Sequence, residues 1–215
     1  MSGRRTLGWV AGGFAALFSG AVATYPVLWR ERCLTWGTTA DEAARTMPGD
    51  DLLPEPDIVS TRAVTVLAPP SRIWPWLVQM GSGRGGAYSY DWVENLLGLD
   101  MHSADEILPR FQHLAVGDVL PVGPHGPRLR VELFQPEQAL VLRSEDGNWV
   151  WAFVLTEVAG GTRVVSRNRI ASPGGSVLTR SVNLIVMEPG SLVMERKMLL
   201  GIKKRAERPA PAEGP

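Results

Sequence analysis

Cysteine is nearly missing from this sequence: Cys33 stands alone in 215 residues, so an internal disulfide scaffold is excluded. Beside an apolar segment it reads as an inert thiol rather than a nucleophile. Net charge is missing too. The 22 Lys and Arg residues balance 22 Asp and Glu, which leaves no basic footprint for nucleic acid or another large polyanion. Metal-ligand spacings are absent, because His113 and His125 lie beside turn residues and there is neither H-E-x-x-H nor a cysteine pair. No metal or cofactor is implied. Without a G-x-S-x-G elbow, covalent hydrolysis has no visible carrier, and no repeat recurs at solenoid spacing. Gly81-Ser-Gly83-Arg-Gly-Gly86 matches G-x-G-x-x-G formally, but a dinucleotide cradle needs a strand before it and βαβ units after it. Here a helical segment precedes and antiparallel strands follow, so the run reads as a flexible loop at a cavity mouth.

What is present begins with an uncharged stretch, Leu7 to Trp29, which as a helix reaches about 34 Å against a hydrocarbon core near 30 Å. Arg4 and Arg5 precede it, Arg30, Glu31 and Arg32 follow, and Trp9, Tyr25 and Trp29 sit near its ends, where amphipathic rings favour the interface. Ala21-Val22-Ala23 also fits a signal-peptide cleavage site. The apolar run continues past that site, which favours a single-pass membrane anchor over residues 1–33. Two arginines on each side give no orientation. Residues 34–57 hold Gly37, Pro48, Gly49, Asp50, Asp51, Pro54 and Pro56, a density of turn formers that discourages regular structure and reads as a connector. Residues 208–215 form a Pro/Ala/Gly/Glu-rich tail expected to be disordered. The folded domain then spans residues 58–207, and deleting residues 1–33 is expected to leave its core whole.

Within that domain, Ile58 to Leu67 alternates as a partly exposed strand does. Ser71 is placed to cap a helix through Trp74, Leu77, Val78 and Gln79, with Pro75 near its first turn. Tyr90 to Leu97 predicts a second helix, capped by Asp91 or Ser89, with Trp92, Val93, Leu96 and Leu97 at core spacing. From Gly117 the character changes to short strands, Asp118–Val122, Arg128–Phe134, Ala139–Arg143, Trp149–Val158 and Thr162–Ile170, punctuated by turn residues as in an antiparallel meander. Leu129, Val131 and Leu133 share one face of their strand, and Trp149, Trp151, Phe153 and Leu155 share one face of another. A helical tail must cover this apolar surface: Val177 to Val186 and, past Pro189-Gly190, Leu192 to Ala206, with Leu192, Met194, Met198, Leu199 and Ile202 on one broad side.

A strand, two short helices, antiparallel strands and a long final helix is the element order of the α+β helix-grip fold, a curved antiparallel sheet wrapped around a long C-terminal helix. The segment Ala68-Pro69-Pro70-Ser71-Arg72-Ile73-Trp74-Pro75-Trp76-Leu77-Val78-Gln79-Met80-Gly81 resembles the strand-to-helix passage of the SRPBCC superfamily, the START-like and polyketide-cyclase-like proteins. Gly85-Gly86-Ala87-Tyr88-Ser89-Tyr90-Asp91 and Met194-Glu195-Arg196-Lys197-Met198-Leu199 resemble an uncharacterised bacterial branch of it. The resemblance covers about residues 58–207. It implies a hydrophobic cavity and an apolar or amphipathic ligand, lipid or polyketide-like, but no particular reaction, because the superfamily hosts binders, cyclases, hydroxylase components and transporters.

Candidate ligand-binding residues follow from chemistry and placement. Trp74 and the strand aromatics Trp149, Trp151 and Phe153 offer apolar walls. Tyr88, Tyr90, Asp91 and the neighbouring Trp92 join phenols, a carboxylate and an indole, suited to orienting a polar group, although a capping Asp91 and core aromatics are the commoner explanation of them. His102, Ser103 and Asp105 suggest acid-base work less strongly than a loop cap at Ser103. Arg163, Arg167 and Arg169 share a strand face, which on the outside is a solvated row and on the inside would let Arg167 bind a carboxylate or phosphate headgroup. Glu195 falls by helical angle among the apolar residues of the tail and needs a partner there, one of those arginines or Arg196, unless it is a buried catalytic acid. The same groups leave open a cyclase or dehydratase, or a membrane interaction protein with a filled core.

Overall fold

Two-residue alternation between turn formers is realised as one sheet in the computed structural model, which describes Tyr25, residues 29–176 and residues 183–209. The strands are β1 Ile58–Val66, β2 Val119–Pro121, β3 Arg128–Gln135, β4 Ala139–Ser144, β5 Trp149–Val158 and β6 Gly161–Ile170. All neighbours are antiparallel, in the order β1-β6-β5-β4-β3-β2. The chain meanders from β2 to β6, and β6 then pairs along the whole of β1, Ile58 opposite Ile170 and Val66 opposite Thr162. Helices α1 Arg30–Leu34, α2 Ala40–Ala44, α3 Pro70–Val78, α4 Asp91–Leu96 and α5 Glu188–Ala206 complete an α+β helix-grip arrangement. The main core lies where α3 and α5 cover the inner sheet face, around Ile73, Leu77, Leu129, Val131, Phe153, Leu199 and Ile202.

Several sequence expectations are corrected. β1 is covered on both faces: Arg62 is fully buried on the inner one, and Thr61 and Ala63 are buried on the outer one. The register of β3 shifts between Val131 and Leu133, and this bulge turns Leu133 away from Leu129 and Val131. Leu133 packs outside with Val141, Val150 and Ala152, while Phe134 turns inward against Trp74. α3 starts at Pro70 after Pro69, without a cap from Ser71, and Pro75 lies in its interior. Neither Asp91 nor Ser89 caps α4. Pro189 does not interrupt the last helix, because it stands in the first turn, where a missing N–H costs nothing; a π-helical turn, Asn183–Met187, leads in.

The connector is more regular than its composition suggests. Thr39 and Glu42 form a reciprocal capping box on α2, and Asp50–Leu52 makes a single 3₁₀ turn. This strap crosses the outer sheet face and converts the arginine row into anchors, Arg167 buried and Arg163 and Arg169 half-buried. Arg163 pairs with Glu42, Arg167 with Asp50 and the carbonyls of Arg45 and Ala43, and Arg169 with the carbonyls of Leu53 and Pro54. Gly37, at φ 79°, lets the strap reach β1, where a Cβ would stand 2.2 Å from the Ala63 carbonyl oxygen. Ahead of it, Cys33 and Leu34 of α1 are buried. The proposed anchor, Leu7 to Trp29, lies outside the described residues except for Tyr25 and Trp29, as do Val177 to Val182 and residues 210–215. Among the described residues no helix is long and apolar enough to cross a membrane.

Candidate functional site

On β5 the alternation sends Trp149, Trp151 and Phe153 inward as an aromatic ladder. Trp149 and Trp151 stack at 5.6 Å with 19° between their planes, and Phe153 stands 4.8 Å from Trp151. Covered indoles need partners for their N–H groups, and β6 supplies them. Trp149 Nε1 donates to Asn168 Oδ1 at 2.8 Å, and Trp151 Nε1 donates to Ser166 Oγ at 2.9 Å. Both polar residues point onward to Glu195 of α5: Ser166 Oγ donates to Oε1 at 2.6 Å, and Asn168 Nδ2 lies 3.2 Å from both carboxylate oxygens. Arg62 Nη1 closes the cluster by donating to Glu195 Oε2. The rest of its guanidinium is used by Ser191 Oγ at 2.9 Å and the Cys33 carbonyl at 3.0 Å. Burial pushes the Glu195 carboxyl up, while the Arg62 charge and the bonds from Ser166 and Asn168 pull it back. A carboxylate so tied holds a helix to a sheet and has no free lone pair aimed at a reactant.

Beside this cluster, between α5 and the β1, β6 and β5 strands, lies a cavity of about 420 Å³. Its wall is mostly apolar, with Trp149, Trp151, Met194 and Met198 prominent, and its polar positions include Ser60, Asn168, Glu195 and Glu94. A second lobe of about 150 Å³, adjoining the first through shared wall residues, is lined by Leu77, Leu129, Leu142 and Phe153. Ala87, Glu94, Trp149 and Trp151 belong to both lobes. At the outer end Glu188 is held by the Arg30 fork at 2.8 to 3.2 Å and accepts from the Tyr25 hydroxyl at 3.2 Å.

The structure thus brings four of the nine sequence candidates, Trp149, Trp151, Phe153 and Glu195, to the cavity wall. The other five lie elsewhere. Trp74 is in the core, 5.3 Å from Phe134. Tyr88 is buried beneath α5, donating to the Trp76 carbonyl at 2.9 Å, and burial pushes its phenol up. Tyr90 precedes α4 with the Lys197 ammonium 5.3 Å from its ring. Asp91 accepts from the Ser103 N–H at 2.8 Å and its hydroxyl at 2.6 Å, so Ser103 is held by α4. Arg167 occupies the opposite sheet face under the strap. His102 is exposed and contacts Asp100. The glycine loop is closed by reciprocal Gly81 and Gly86 backbone bonds, and Arg84 reaches the carbonyls of Val78, Met80 and Phe111. That tie replaces the free loop expected from its composition.

Sequence reasoning missed Arg62 and Glu94 as cavity groups, and it did not connect Ser166 and Asn168 to Glu195. Arg62 carried a signal: period two puts it on a face with Val64 and Val66, where a charge demands a partner. Glu94 carried none. α4 is built inside out: Glu94 is buried and Asp91 is turned to Ser103, while Trp92, Leu96 and, just past the helix, Leu97 are 71%, 79% and 70% exposed.

No protein-family profile matches the chain, and no curated protein matches it in sequence. Solved structures share its chain path in part. The protein MLL2253 from Mesorhizobium loti is 15% identical over 72% of this chain and 100% of that one, with a TM-score of 0.44. The Polyketide_cyc-like protein Cgl2372 from Corynebacterium glutamicum is 14% identical over 68% of this chain and 89% of that one, at 0.42. The KanY protein is 14% identical over 70% of this chain and 98% of that one, at 0.48. Likeness at this level conveys neither ligand nor activity.

Proposed function

We propose that this chain binds a hydrophobic or amphipathic small molecule, lipid or polyketide-like, in the cavity between the sheet and α5, and that residues 7–29 hold it at a membrane. The observation that carries the reading is the two-lobed, mostly apolar cavity with a few polar groups at defined points, the usual make-up of a small-molecule site. The motif resemblance to the SRPBCC superfamily supports it. A cyclase or dehydratase acting through Tyr88, Tyr90, Asp91 or Glu195 has less support, because the Tyr88 hydroxyl and the Asp91 and Glu195 carboxylates are engaged by protein partners and of the four only Glu195 lines the cavity.

Ala87 offers a direct test, since it borders both lobes. The neutral fluorophore N-phenyl-1-naphthylamine should bind the intact protein saturably at one per chain. Ala87→Phe, which fills the junction, should weaken that binding by about tenfold or more. Unchanged uptake in a folded Ala87→Phe protein would place the fluorophore elsewhere and remove the support for the cavity as the binding site.

A further inference from the structure

We propose that Glu94 is the ligand-binding carboxylate of the cavity and that its counterpart is a protonated amine on an otherwise apolar molecule. This deepens the binding function proposed above and rests on it. Glu94 is 6% exposed and borders both lobes, so whatever occupies the cavity meets its carboxyl. Its Oε2 is buried without a hydrogen-bond partner among the described residues. An orphaned buried carboxyl is costly unless something compensates it, and a ligand is the group this site is shaped to receive.

Charge decides the kind of ligand. The cavity's other carboxylates are matched, Glu195 by Arg62 and Glu188 by Arg30. On α4 itself, Asp91 is turned to Ser103. From α5, Lys197 lies over the Tyr90 ring, and Arg205 over the Tyr88 ring at 4.8 Å, with its Nη2 3.2 Å from Asp105. Among the described residues no cation pairs with Glu94, so their lining of the cavity holds one more carboxylate than its cations match. An ammonium supplies both the missing charge and N–H donors for Oε2. Trp149 and Trp151, on the wall shared by both lobes, bring electron-rich indoles to the site, which favours a cation over an alcohol or a carboxylate. The apolar part of the molecule then fills the lobe lined by Leu129, Leu142 and Phe153.

Burial, with Asp91 nearby, pushes the Glu94 carboxyl up to about 7. Near neutrality the empty site is therefore part protonated, and a bound ammonium favours the ionised form. Amine affinity should rise as pH increases through 7, with a proton released on binding, until the amine itself begins to lose its charge.

The experiment displaces N-phenyl-1-naphthylamine from the intact protein with decylamine, 1-decanol and decanoate, each below its micellar concentration. Decylamine should bind at least about tenfold tighter than 1-decanol, with decanoate weakest. Glu94→Gln keeps the shape and removes the charge, so it should bring decylamine to the level of 1-decanol while 1-decanol changes little. Glu94→Asp, which retains the charge, should keep part of the preference. Calorimetry in two buffers of different ionisation enthalpy should show proton release for decylamine with the native protein only. Equal binding of amine and alcohol, or a preference that survives Glu94→Gln, overturns the assignment while leaving the cavity reading intact. If none of the three competes, both fall.

Discussion

Arg62 and Glu195, 133 positions apart, show how one buried pair connects first strand to last helix. Neither is tolerable alone: each charge is taken from water, and each is compensated by the other together with Ser166, Asn168, Ser191 and the Cys33 carbonyl. Arg62→Met should lower stability by about 3–5 kcal/mol, because it leaves a buried carboxylate unpaired. Adding Glu195→Leu to that variant should restore most of the loss, read as the urea midpoint at constant slope. A double variant as unstable as the single one would show that packing rather than charge pairing makes Arg62 indispensable. Of this cluster, Glu195 was legible from its helical angle, since a carboxylate among Leu192, Met198 and Ile202 demands a partner. The identity of that partner was not, because nothing local relates position 62 to position 195.

Individual elements explain where the sequence pattern misleads. Apolar residues at helical spacing normally mark a buried face, yet α4 and its C-cap expose Trp92, Leu96 and Leu97. Its orientation is decided by the loop it holds: Asp91 grips Ser103, and Asn95 exchanges two bonds with Met101 at 2.9 and 2.6 Å. Six residues are too few for periodicity to outweigh such bonds. Helix α5 carries the opposite lesson at Gly201, where a Cβ would come within 2.3 Å of the Tyr88 carbonyl oxygen. Helix propensity alone would make Gly201→Ala favourable by about 1 kcal/mol. The backbone contact should reverse the sign to a net loss of roughly 1–3 kcal/mol in thermal denaturation, and a stabilised variant would show that α5 can lift away from Tyr88.

For the molecule as a whole, the boundary of the folded unit lies earlier than composition suggests. Cys33 and Leu34 are buried, Cys33 accepts from Arg62, and Arg30 holds Glu188, so α1 belongs to the domain. If residues 7–29 hold the protein at a membrane as proposed, removing residues 1–24 should free it from the membrane fraction and leave its melting temperature unchanged. Removing residues 1–33 should instead cost at least about 2 kcal/mol, because Arg62 Nε loses its buried acceptor. Equal melting temperatures for the two truncations would mean that α1 only rests on the surface. N-terminal sequencing of the full-length product that began at Thr24 would replace the proposed anchor by a cleaved leader.

Residue order alone determined the α+β element succession, the antiparallel meander and the aromatic face of β5. Each of these follows from short-range causes: alternation, turn chemistry and the need to cover a hydrophobic face. Tertiary structure decided which polar groups meet. The strap over Arg163, Arg167 and Arg169, the pairing of Arg62 with Glu195 and the inward turn of Glu94 depend on chain segments far apart in sequence. A side chain's periodicity states which face it shares, but only packing states whether that face meets water, a strap, a partner charge or an open cavity.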